Sequence, residues 1–188
     1  MLPICRSAKL WLGLTILLLS LLIPVVQADN FSSNELKLKI LYLYNFSKLT
    51  EWPESTFESE DTAVNICIYG DDRYAHAAQA LSKKQIKKRS IKILTITSAE
   101  QVAKCHALLI AKNSRQPQQF LTQAYQHNVL TTGDDNNFIK HGGIIGLIKI
   151  GNKIRFEINL GAINNKQLKI SSKLLRLAKT IHRKQITD

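Results

Sequence analysis

The chain contains no glycine-rich phosphate loop, no G-x-S-x-G elbow and no H-E-x-x-H pair. Those absences remove the usual sequence signatures of nucleotide binding, α/β-hydrolase chemistry and zinc proteolysis. There is no C-x-x-C either, so nothing points to thioredoxin-like redox work. The five histidines (76, 106, 127, 141 and 182) are scattered, and His106 beside Cys105 has no companions at metal-ligand spacing. Acidic side chains are scarce, with 14 Asp and Glu against 26 Lys and Arg, a formal net charge of +12. The expectation is a protein with no catalytic residue, no metal site and no cofactor.

What is present begins with Arg6 and Lys9 ahead of an apolar run from Leu10 to Val26, broken by little except Thr15, Ser20 and Pro24. Val26 and Ala28 then occupy the small-residue positions before a cut. A basic start, an apolar core and an A-x-A-like end describe a secretory signal peptide over 1–28, leaving a mature domain over 29–188. The alternative is an uncleaved anchor, at the short limit of about 17 residues for a bilayer span. No cysteine follows the apolar core, which argues against a lipid-modified terminus. In an exported protein the basic excess points away from nucleic acid, towards anionic headgroups, acidic protein surfaces or envelope polymers. The densest basic run, "KKQIKKR" from Lys83 to Arg89, reads as a solvated loop between a helix and a strand.

Cys5 leaves with the leader, so Cys67 and Cys105 remain, an even pair for which bonding is the default in an oxidising compartment. "SSNE" at 32–35 offers a capping box for a helix carrying Leu36, Ile40, Leu43 and Ser47 and ending near Trp52-Pro53. Downstream, short apolar runs at 63–70, 90–96, 106–112 and 129–135 alternate with helix-like segments. That pattern predicts one α/β domain with a mainly parallel sheet of about five to six strands. Gly151-Asn152 joins "IIGLIKI" to "KIRFEIN" as a hairpin, so these two strands should be antiparallel. "SSKLLRLAKTIHRK" reads as a closing helix with Leu174, Leu177, Ala178 and Ile181 on one stripe and Lys173, Arg176 and Lys179 outside.

Site candidates are few. "YGDDRY" and "TGDDNN" put aspartates just after strands, where α/β ligand sites lie, but strand-ending turns use the same residues. Arg155, Glu157 and Asn159 alternate with Ile154, Phe156 and Ile158. The polar row is a wet sheet face, an ion pair to the closing helix, or a ligand site. Lys173, Arg176 and Lys179 are the candidate partner-binding face.

Together "WP" (52–53), "NICIYGDD" (65–72), "CHALLIAKNS" (105–114), "LTTGDDNNF" (130–138), "HGGIIGL" (141–147) and "IRFEINLGAINNKQLKISSKLLRLAK" (154–179) resemble the YfiR/HmsC-like family of bacterial periplasmic proteins. The resemblance implies an α/β, self-associating, homodimeric regulator without catalysis. It also implies repression of an inner-membrane diguanylate cyclase through its periplasmic domain, which lowers cyclic di-GMP and biofilm formation. Sequestration by an outer-membrane OmpA-like lipoprotein is implied too. Cys67 and Cys105 match the family's disulfide cysteines, while a second pair carried by some members is missing. The other reading is a ligand-sensing subunit of another membrane receptor, such as a sensor histidine kinase.

Overall fold

A computed structural model describes residues 27–163 and 168–183, so the signal peptide expected over 1–28 lies outside the described residues except for its last two positions. The chain divides into two compact units, residues 1–34 and Glu35–Asp188. The sheet belongs to the second.

Helix α1 spans Gln27–Lys48, and the short strand β1 (Thr50–Glu51) follows at once. The expected start at Ser32 and end near Trp52 are therefore both corrected. At the C-terminal end, Thr50 and Glu51 pair antiparallel with β9 (Lys169–Ile170), and Thr50 Oγ1 donates to Phe46 O at 2.8 Å. Strand pairing stops the helix before the proline does.

The sheet strands are β2 (Val64–Tyr69), β3 (Gln85–Ile86), β4 (Arg89–Thr95), β5 (Ala107–Ile110), β6 (Leu130–Gly133), β7 (Ile145–Ile150), β8 (Lys153–Asn159) and β10 (Thr180–His182). Helices α2 (Asp72–Ala78), α3 (Pro117–Gln126) and α4 (Ser172–Leu177) lie between them, with 3-10 turns at Gln79–Lys83 and Ala99–Lys104. The order is β10-β8-β7-β6-β5-β2-β4-β3, with β4, β2, β5, β6 and β7 parallel. The expected mainly parallel α/β sheet is present, extended at both edges by the very short β3 and β10.

Two apolar layers sandwich this sheet. Ile40, Leu43 and Phe46 of α1 and Tyr74 of α2 pack on Ile66, Ile68, Leu109, Phe156 and Ile158. Phe46 and Phe156 ring centroids stand 4.8 Å apart. On the other face Phe120, Leu121 and Ala124 of α3 cover Cys67, Leu108 and Ile110. Burying each large apolar side chain contributes about 1.5–3 kcal/mol, so these two layers supply the main driving force. Cys67 and Cys105 are bonded there, with Cα atoms 5.8 Å apart.

The expected hairpin is also present. Gly151 has φ +56° at the first turn position, and β7 and β8 are antiparallel from Ile145↔Ile158 to Ile150↔Lys153. The closing helix is shorter than expected. Ser171 caps α4, but the helix ends at Leu177, and Thr180, Ile181 and His182 pair parallel with Glu157, Ile158 and Asn159. Covering the otherwise open edge of β8 outweighs one more helical turn, and β-branched Thr180 and Ile181 suit a strand.

Candidate functional site

The order of the parallel strands reverses between β2 and β5, and open α/β sheets place ligands outside the carboxyl ends of strands at such a point. Here that end is filled. Gly70, φ +95°, ends β2 so close to Ser114 that a Cβ would overlap the hydroxyl. Asp71 caps α2 by accepting from Arg73 N–H at 2.9 Å, which is the turn role its position suggested. Arg73 then holds the Asp71 carboxyl below its ordinary range.

Asp134, just after β6, does more than end a strand. Its Oδ2 accepts from the Tyr74 hydroxyl at 2.6 Å and from Lys39 Nζ at 2.8 Å, and its Oδ1 accepts from Lys112 N–H at 2.6 Å. Lys39 also reaches Glu35 at 2.8 Å, and Lys149 reaches Glu35 at 2.9 Å. Burial lowers the Lys39 ammonium pKa, but Asp134 and Glu35 outweigh it and leave the value raised. Burial, then Asp134, pushes the Tyr74 hydroxyl well above its ordinary value. Hydrogen bonds from Lys39 and Lys149 hold Glu35 below its own. The adjoining cavity is about 130 Å³. With both oxygens of Asp134 engaged, this cluster pins α1, α2 and the strand ends together and leaves no free base.

The polar row of β8 does not act as a unit. Arg155 is exposed opposite Ile148, and Glu157 is half-buried with its Oε2 3.5 Å from His182 Nε2. Asn159 is buried and donates to Ile139 O at 3.3 Å, while its Oδ1 has no partner among the described residues. The basic side chain beside Glu157 is His182 of β10, not a residue of a closing helix. The candidate partner face also changes: Lys173 and Arg176 are exposed on α4, but Lys179 lies beyond it, its N–H donating to Phe156 O at 2.8 Å.

At the amino ends of β2, β4 and β5 the structure assembles a cluster that residue-level reasoning did not single out. Trp52 Nε1 donates to His106 O at 3.1 Å, and the Phe57 and His106 rings stack at 4.7 Å. His106 Nδ1 accepts from Asn65 N–H at 2.8 Å, which places the ring proton on Nε2. Burial lowers the His106 pKa, a hydrogen bond to the Thr56 backbone opposes this, and nearby Arg89 lowers it further. Arg89 lies 4.1 Å over Phe57 and donates to the carbonyls of Ser59, Glu60 and Thr62 at 2.6–3.0 Å. Beside this cluster opens a cleft of about 580 Å³, lined by Trp52, Glu54, Phe57, Ile86 and Lys87 among others. The only sequence signals were the Trp-Pro pair and the basic run. That run is not a loop: Lys87 and Lys88 form the turn of a β3–β4 hairpin.

Among the described residues no three His, Cys, Asp or Glu side chains converge as metal ligands, and no helix is long and apolar enough to cross a membrane. Two solved structures are distantly similar. One is the ABC domain in complex with L-Trp from Streptococcus pneumonia, at 8% identity, TM-score 0.44, covering 63% of this chain and 55% of that one. The other is a conserved domain protein from Vibrio cholerae, at 13% identity and TM-score 0.44, covering 63% and 54%. The chain thus spans about half the length of each, and likeness at this score is too loose to inform fold or function. No curated protein matches the chain. The family described as YfiR/HmsC-like matches residues 36–179, which takes in every strand of the sheet except β10, both cysteines, Asp134 and the Trp52 cleft. The chain belongs to the YfiR/HmsC-like family.

Proposed function

We propose that this protein is a periplasmic repressor of an inner-membrane diguanylate cyclase, acting on the cyclase's periplasmic sensor domain to lower cyclic di-GMP and biofilm formation. Family membership across residues 36–179 carries the reading. The Cys67–Cys105 bridge supports it, because such bonds persist in an oxidising compartment. Repression then works by tighter binding to one conformation of the cyclase than to the other. A tenfold shift needs about 1.4 kcal/mol of differential affinity, which a modest surface can supply. Exposed Lys173 and Arg176, with Lys179 beyond the helix end, are the proposed contact with an acidic cyclase surface. A homodimer, and sequestration by an OmpA-like outer-membrane lipoprotein, complete the proposed circuit.

Deleting the gene should raise cellular cyclic di-GMP. Reversing Lys173, Arg176 and Lys179 to glutamate should move it towards the deletion level with the fold intact, since exposed charges contribute little to stability. An unchanged nucleotide level on deletion would end the cyclase reading and favour a sensing subunit of another receptor, such as a sensor kinase.

A further inference from the structure

The cleft at the amino ends of the strands has two walls of opposite sign. One is the segment from Trp52 to Asp61, which carries Glu54, Glu58, Glu60 and Asp61; the other is the β3–β4 hairpin with Lys87 and Lys88 at its turn, and Lys83 and Lys84 just ahead of β3. Glu54 and Glu60 line the same cleft as Lys87 and Arg89. Yet among the described residues Glu54, Glu60, Lys83, Lys87 and Lys88 join no ion pair. Arg89 is spoken for by its three carbonyls and Phe57. Opposite charges are therefore held on facing walls without neutralising each other.

The hairpin tip adds a second, independent observation. Lys87 and Lys88 have φ +49° and +69°, both in the left-handed region. A two-residue turn of this kind is the natural place for Asn-Gly, and lysine there is strained. Strain kept at a tight turn commonly marks a functional position. Between the walls the apolar surface comes from half-buried Trp52 and Phe57, with Val64 and Ile86 buried beneath them. Trp52 is fixed by its bond to His106 O, so the floor is pre-oriented. About 580 Å³ lies within the range of roughly 300–1,000 Å³ that accommodates small ligands.

We propose that this cleft binds a short peptide bearing both an ammonium and a carboxylate, with an apolar side chain between them. The ammonium faces Glu54 and Glu60, the carboxylate faces Lys87 and Lys88, and the apolar group rests on Trp52 and Phe57. A ligand or membrane of one charge sign matches one wall and is repelled by the other. This site goes beyond the regulatory reading and does not depend on it.

The chain has two tryptophans, and Trp11 lies in the expected leader, so the exported protein carries Trp52 as its sole indole. That protein is titrated with lysyl-phenylalanyl-glutamate while Trp52 emission and calorimetric heat are followed. Saturable binding is expected, weakening as salt rises. Lys87→Asn with Lys88→Gly, and separately Glu54→Gln with Glu60→Gln, should each weaken it at least about tenfold. The Lys87→Asn/Lys88→Gly protein should melt no lower than its parent, since it relaxes the turn, so its loss of binding is not a loss of fold. Equal binding of acetyl-glutamyl-phenylalanyl-glutamate, binding of phosphatidylglycerol vesicles in place of the peptide, or no saturable binding by either readout would overturn the proposal.

Discussion

The two ends of the parallel sheet differ in how they treat charge. At the carboxyl ends Glu35, Lys39, Lys149, Asp134 and Tyr74 are linked by contacts of 2.6–2.9 Å, and Ser114 fills the approach to Gly70. At the amino ends acidic and basic walls face each other across a cleft without pairing. The edge on which doubly wound folds usually bind ligands is used here to hold the helices in place. The opposite edge keeps open surface, unpaired charge and a strained turn.

The comparison can be broken most strongly through the core that both ends share. Cys67→Ser should cost about 4 kcal/mol in urea unfolding, because the bridge closes a 38-residue step and anchors β2 to the start of β5. Asp134→Ala should cost about 2 kcal/mol, since it leaves the buried Tyr74 hydroxyl unpaired and Lys39 with Glu35 alone. Neither change should alter the charge pattern of the amino-end cleft.

The pH dependence sharpens the contrast. The Glu35 carboxyl is depressed in the folded state, so its contribution is present above its ordinary value of 4.5 and lost as pH falls through the lower folded value. Glu35→Gln should flatten that acid limb of thermal unfolding. Tyr74 is raised, so its contribution is full below its ordinary value of 10.0 and declines as pH rises beyond it. Tyr74→Phe should flatten the alkaline limb at a cost of about 1 kcal/mol at neutral pH. The smallest effect has the opposite sign: Lys87→Asn with Lys88→Gly should stabilise by about 1 kcal/mol on thermal unfolding.

Much of the fold could be read from the sequence because local signals agreed with it. The apolar runs of β2 and β5, the Gly151 turn and the paired cysteines each point to what the structure contains. The last segment misled because Leu174, Leu177 and Ile181 fit a helical stripe, whereas the open edge of β8, which no local window contains, decides its conformation. Leu177 instead stands 61% exposed. The Asp134 cluster was illegible for a similar reason: Lys39 and Tyr74 lie 95 and 60 residues away along the chain. The cleft was hidden because a Lys-Lys turn carries no turn signature, and its strain shows only in the backbone angles.

The most direct test of the contrast between the two ends is an amide and indole shift map of the folded chain titrated with lysyl-phenylalanyl-glutamate. The Trp52 Nε1–H and the amides of Lys87, Lys88 and Arg89 should move together, while those of Lys112, Asp134 and Asn136 stay fixed. Shifts centred on Lys112 and Asp134, with Trp52 unmoved, would place the open site at the carboxyl ends and contradict the account.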